Sequence, residues 1–160
     1  MSFEYLDHPA DVILHSWGKN IIEAFENAAA GMFNFMSDLT RVEEKEIKTI
    51  SIDATSYEEA LVKFLDSWLC VFSSDLFIGK SFKCEVFDDN DEEHIHIECK
   101  GFVVMLRKIV FYNTNQYRIG EYFIIGKHQQ GTEIKAITWH NLEIYDDEKD
   151  QTHIHILLDI

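Results

Sequence analysis

Asp7 and Asp11 stand four residues apart, with His8 and the only proline of the chain, Pro9, between them. Pro9 has no backbone N–H, and it steers His8 away from helical angles. The spacing therefore predicts an irregular turn over Asp7–Ala10, with Asp11 at its exit. After it, Val12, Leu14 and Ser16 alternate with Ile13, His15 and Trp17, the two-residue period of a strand. A carboxylate fixed between a stiff turn and a strand suits a hard cation or a hydrogen-bond network. On spacing alone the plainer reading, that Asp11 only caps the turn, comes first.

The other end of the chain carries a second acidic group. THIHILLDI, residues 152–160, reads as a terminal strand with Asp159 penultimate. If the end of this strand meets the start of the Val12 strand, three anions converge: Asp11, Asp159 and the α-carboxylate of Ile160. Three such charges repel strongly away from water, and a divalent cation with oxygen ligands would relieve them. If the two ends lie apart, each carboxylate is simply solvated.

Other constellations are weaker. His94 and His96 share one strand face, as do His153 and His155; such a pair could be half of a zinc site, but without ordered cysteine or carboxylate partners both pairs read as exposed-face residues. His8 and His128 have no nucleophile to serve. No G-x-S-x-G, P-loop or dinucleotide fingerprint occurs. The acidic run Asp88–Glu93 lacks the glycine and closing glutamate of an EF-hand loop, so it reads as a solvated turn. Cys70, Cys84 and Cys99 are odd in number and lack framework spacing, which predicts reduced, mostly buried thiols.

The elements that must position these groups follow from periodicity. Asn20–Asp38 reads as a helix with Ile21, Phe25, Ala28, Met32 and Met36 on one stripe. Asn20 is its N-cap, with Glu23 as capping-box partner. Arg41–Lys45 is a charged connection and Glu46–Ala54 a strand. A second helix starts at Ser56, with Glu59 completing S-x-x-E, and runs to Ser74. Its stripe is Leu61, Phe64, Leu65, Trp68, Leu69 and Phe72. Ser81–Phe87 and His94–Lys100 alternate as a hairpin, and Phe102–Tyr112 reads as a further strand. Tyr117–Lys127 has no decisive pattern. Gly131–His140 alternates again, with Glu133, Lys135 and Ile137 on one face; Asn141–Tyr145 is compatible with its continuation, before an acidic turn at Asp146–Asp150. The resulting fold class is α+β: two helices packed on mostly antiparallel sheet, in a single domain over residues 1–160.

Composition narrows the function classes. At 46% hydrophobic and 13% aromatic residues the chain can build a core. No apolar run spans a bilayer and the N-terminus has no signal-peptide core, so no membrane role is expected and an intracellular protein, cytoplasmic or nuclear, is. The net charge of −15, from 29 acidic against 14 basic residues, repels phosphate backbones. Strong independent nucleic-acid binding is therefore not expected. A basic partner surface, or cations, would be attracted instead.

Several segments in order resemble one family. FEYLDHPADVILHSWG, AFENAAAGMFNFMSD, ALVKFLDSWLCVFSSDLF, GTEIKAIT and the terminal LLDI are together similar to the archease family. The resemblance implies a single compact archease-like domain that is not itself an enzyme. It implies an activator of an RtcB-type RNA ligase, the tRNA-splicing ligase that uses GTP and a metal, promoting ligase guanylylation and multiple turnover. It also implies a metal site at Asp11, Asp159 and Ile160, with calcium as the usual ion, and a functional role for Lys135. Asp7 and His8, in the same D-H-x-A-D motif, are secondary candidates. Pro9 stands where threonine is common, which stiffens the turn and leaves both aspartates. Two alternatives accompany this reading: a chaperone-like modulator of a tRNA methyltransferase, and a metal-dependent phosphoester hydrolase.

Overall fold

The computed structural model describes residues 2–41, 46–75, 77–88, 94–105 and 131–160. Its elements are β1 (Phe3–Asp7), β2 (Val12–Gly18), α1 (Ile21–Met36), β3 (Glu46–Ala54), α2 (Tyr57–Asp75), β4 (Phe77–Asp88), β5 (Ile95–Met105), β6 (Ala136–Ile137), β7 (Glu143–Asp146) and β8 (Thr152–Asp159), with a 3-10 turn at Leu39–Arg41. Two helices on antiparallel sheet is the α+β class that periodicity predicted. The sheet is split in two. One has the order β1-β2-β8-β6, with β7 also on β8; the other has the order β3-β5-β4.

The apolar stripes explain the layers. Inner-face residues Val12 and Leu14 of β2, and Ile154, Ile156 and Leu158 of β8, are buried, as are Ile52 of β3, Ile97 of β5 and Phe82 of β4. Phe25, Phe33, Phe64 and Trp68 fill the space between them and are fully buried. Trp68 lies parallel to Phe77 at 6.0 Å and edge-on to Phe82 at 5.1 Å. Burial of each such side chain stabilises the fold by about 1.5–3 kcal/mol. Gly101 of β5 sits under Trp68, and a Cβ there would lie 2.6 Å from its ring.

Both helix starts are capped as the sequence predicts. Glu23 N–H donates to Asn20 Oδ1 at 2.9 Å, while the Glu23 carboxylate accepts from Lys19 N–H, one residue before the cap. Glu59 N–H donates to Ser56 Oγ at 3.2 Å, and the Glu59 carboxylate accepts from Thr55. α1 stops two residues short of Asp38, where Ser37 turns extended and returns its N–H to the Phe33 carbonyl.

Several expectations change. The turn before Asp11 starts one residue later, because Phe3–Asp7 forms β1 and pairs back on β2, with Asp7 opposite Val12. The segment 131–140 is a strand only at Ala136–Ile137. Ile134 and Ile137 are both buried, a spacing of three that interrupts the alternation. The chain then turns at Asn141 (φ 55°) and resumes as β7 along the same edge of β8. Finally, Cys84 and Cys99 are joined as a disulfide and Cys70 is free and exposed. The pairing of β4 with β5 sets the two cysteines directly opposite, with Cα atoms 4.0 Å apart, and that register is not visible from their spacing in the chain. Of the expected strand Phe102–Tyr112, the first residues finish β5. Residues 106–112, the segment Tyr117–Lys127 and His128 lie outside the described residues, as does most of the acidic run after Asp88.

Candidate functional site

Strand register decides which ends of the chain meet. β8 runs antiparallel to β2 with Val12 opposite Leu158, so Asp11 and Asp159 are the next residues outward at one end of the sheet. On the other side of β8, Ala136 is opposite Asp159, which sets Lys135 beside Ile160. Lys135 N–H donates to the Asp159 carbonyl at 2.8 Å, and Lys135 Nζ donates to a terminal oxygen of Ile160 at 2.8 Å. Asp11, Asp159, Ile160 and Lys135 thus gather at one sheet end from three adjacent strands.

The turn supplies a further polar group. His8 Nδ1 lies 3.5 Å from Asp11 Oδ2, and both side chains are about a quarter exposed, at 27% and 22%. That nitrogen is itself buried and has no hydrogen-bond partner. Asp7 is not brought into the group. It is exposed at the end of β1, one strand farther from β8.

Lys135 is held by backbone anchors. Gly131 N–H donates to the Met36 carbonyl at 2.9 Å, where a Cβ would collide with the backbone of Phe35 and Met36. Only glycine fits so close to the end of α1. Ile134 and Ile137 are buried on either side of Lys135, and Thr138 donates to the Leu157 carbonyl through both its N–H and its hydroxyl. Asp66 of α2 adds an anchor that sequence reading missed. Its carboxylate accepts from the Ile137 N–H, while packing of α2 against β6 partly desolvates it and raises its pKa. Its position on the polar side of the α2 stripe looks like ordinary solvated charge, so no sequence signal marks it.

The oxygens gathered here are of the kind a hard cation takes: the carboxylates of Asp11 and Asp159 and the main-chain oxygen of Ile160, with His8 Nδ1 beside Asp11. Among the described residues no three His, Cys, Asp or Glu side chains stand at metal-ligating spacing. The group at this sheet end has two such side chains, Asp11 and Asp159, and Lys135 Nζ already occupies the Ile160 oxygen.

No helix among the described residues is long and apolar enough to cross a membrane. The model of the Archease protein family matches residues 3–160. "Protein archease" of Danio rerio is 38% identical over 158 residues, covering 99% of this chain and 85% of the fish protein. "Protein archease-like" of Drosophila melanogaster is 34% identical over 162 residues, covering 100% and 91%. The solution structure of Methanobacterium thermoautotrophicum protein 1598 superposes with a TM-score of 0.72 at 26% identity, covering 99% of both chains.

Proposed function

This chain belongs to the archease family, and we propose from that premise that it is a non-catalytic activator of an RtcB-type RNA ligase. In this reading it promotes guanylylation and repeated turnover of the ligase. The supporting observation is the sheet end where Asp11, Asp159, the Ile160 terminus and Lys135 converge. It presents anions and one cation together, on a chain whose net charge of −15 favours a basic cleft on a partner.

Asp11, Asp159 and the terminal carboxylate would hold a divalent cation, with calcium as the family's usual ion. Such a cation would supply positive charge toward phosphate oxygens at the partner's nucleotide site. The rest falls to the chain itself. Lys135 holds the Ile160 terminus in place through its Nζ and the strand end through its N–H. Asp66, through Ile137, fixes the strand that carries Lys135. His8 restrains the Asp11 carboxylate from the turn side.

The test is multiple-turnover ligation by the cognate RtcB-type ligase with GTP, with and without substoichiometric protein. A large gain in turnover is expected, and Asp11→Ala should remove roughly tenfold or more of it. Full turnover with folded Asp11→Ala would eliminate the carboxylate role. No gain with the wild-type chain and a competent ligase would overturn the activator reading.

A further inference from the structure

The outer face of the five-stranded sheet carries a second polar cluster, away from the Asp11 end. His15 of β2 is directly opposite His155 of β8, and His153 is two residues along. All three side chains are largely covered, at 14%, 23% and 16% exposure. Trp17 and Tyr145 stack on the two sides of this group, Tyr145 parallel to His153 at 5.3 Å and Trp17 at 6.3 Å.

Each imidazole faces one carboxylate. His15 Nδ1 lies 2.8 Å from Glu4 Oε1, His153 Nε2 lies 3.4 Å from Asp147 Oδ2, and His155 Nδ1 lies 3.6 Å from Glu143 Oε2. A carboxylate selects the tautomer with N–H toward it and leaves the other nitrogen as a lone-pair donor. This is the arrangement that orients histidine ligands around a metal.

The proton count within the cluster does not close for neutral rings. His15 Nε2 and His153 Nδ1 are 2.9 Å apart. With Glu4 holding the proton on His15 Nδ1, His15 Nε2 is a lone pair, so His153 Nδ1 must carry a hydrogen. His153 Nε2 is then a lone pair facing Asp147, and that nitrogen is buried with no hydrogen-bond partner. In the other tautomer, two lone pairs abut at 2.9 Å. A second proton on His153 closes the count, and so does a metal ion that takes the lone pairs of His15 Nε2 and His153 Nδ1 in the tautomers set by the carboxylates.

We propose that His15, His153 and His155 form a binding site for a borderline divalent transition-metal ion of the zinc class. Nitrogen donors select such ions over calcium, so this site and the oxygen-lined sheet end take different metals. Tetrahedral ligation at ordinary zinc–nitrogen lengths requires ligand nitrogens about 3.4 Å apart. The His15–His153 gap must open by roughly half an ångström, and His155 must turn toward it. The site is thus not preformed, and no three-ligand spacing is found among the described residues; it would take shape only as the ion binds.

The test is titration of the EDTA-treated full chain with Co²⁺, read by visible d–d absorption, followed by Zn²⁺ competition in a calorimeter. One equivalent should give the intense band of a low-coordinate site, whereas an ion held by the oxygens at the Asp11 end would absorb only weakly. His153→Ala should weaken binding about tenfold or more, and Asp147→Asn less. If His153→Ala does not fold, His155→Gln serves in its place. His96→Ala should leave this band unchanged. Absence of uptake by the folded wild-type chain, with ¹⁵N spectra showing only a shared proton between the rings, would overturn the proposal. So would uptake indifferent to His153 and His155, or uptake lost with Asp11→Asn.

Discussion

The tetrapeptide His-Ile-His-Ile occurs twice, at 94–97 where β5 begins and at 153–156 inside β8. Local sequence treats the two alike: isoleucines face the helices and histidines face away. In the three-stranded sheet, away means water. His94 and His96 share the exposed Asp53 carboxylate, at 3.2 and 2.7 Å. In the five-stranded sheet, strands flank β8 on both sides and bring His15, Trp17 and Tyr145 over the same two positions. One copy is a solvated ion pair and the other a ring-lined recess. The difference lies in the neighbouring strands and not in the four residues.

The sharpest way to break this comparison is to empty each copy's inner face. Ile154 is fully buried, whereas Ile95 is only partly so. Ile154→Ala should cost about 2–5 kcal/mol and Ile95→Ala less than half of that, read by urea denaturation. Equal losses would mean that the two sheets bury their first isoleucine alike. A smaller effect is expected on the outer faces in metal-free buffer. His153→Ala should cost about 1–2 kcal/mol, because it removes a ring packed on Trp17 and Tyr145. His96→Ala, at an exposed pair, should stay within about 0.5 kcal/mol.

The smallest effect is a titration. The hydrogen bond to Asp53 raises the His96 pKa, and the same bond lowers that of Asp53. The pair's stabilisation is complete between the unfolded Asp value near 3.8 and the unfolded His value near 6.5. It is lost as pH rises through the raised His96 value and as pH falls through the lowered Asp53 value. An NMR titration should place the His96 midpoint above 6.5, and Asp53→Asn should return it toward that value. An unmoved midpoint would remove the ion pair from the comparison.

Much of the frame was legible because period and cap are local properties. The stripe Leu61–Phe72 and the two S/N-x-x-E signals place both helices within a residue or two of where they lie. β1 was not legible, since five residues beside a proline turn show no decisive alternation until β2 gives them a partner. The segment from Gly131 misled for a related reason. Its apparent alternation competes with anchoring to α1, β8 and Asp66, and those contacts leave only Ala136–Ile137 in strand geometry.

The candidate site divides in the same way. Sequence alone picked out Asp11, Asp159 and Ile160 as anions that matter if two strand ends meet, and it set that meeting as a condition. The register of β2 on β8 meets the condition, and only tertiary pairing could do so, because 148 residues separate Asp11 from Asp159. The disulfide and the histidine recess are likewise products of register. A side chain's type and its inward or outward parity are written along the chain. The company it keeps across a sheet is decided by long-range backbone hydrogen bonds, and these change with every one-residue slip in pairing.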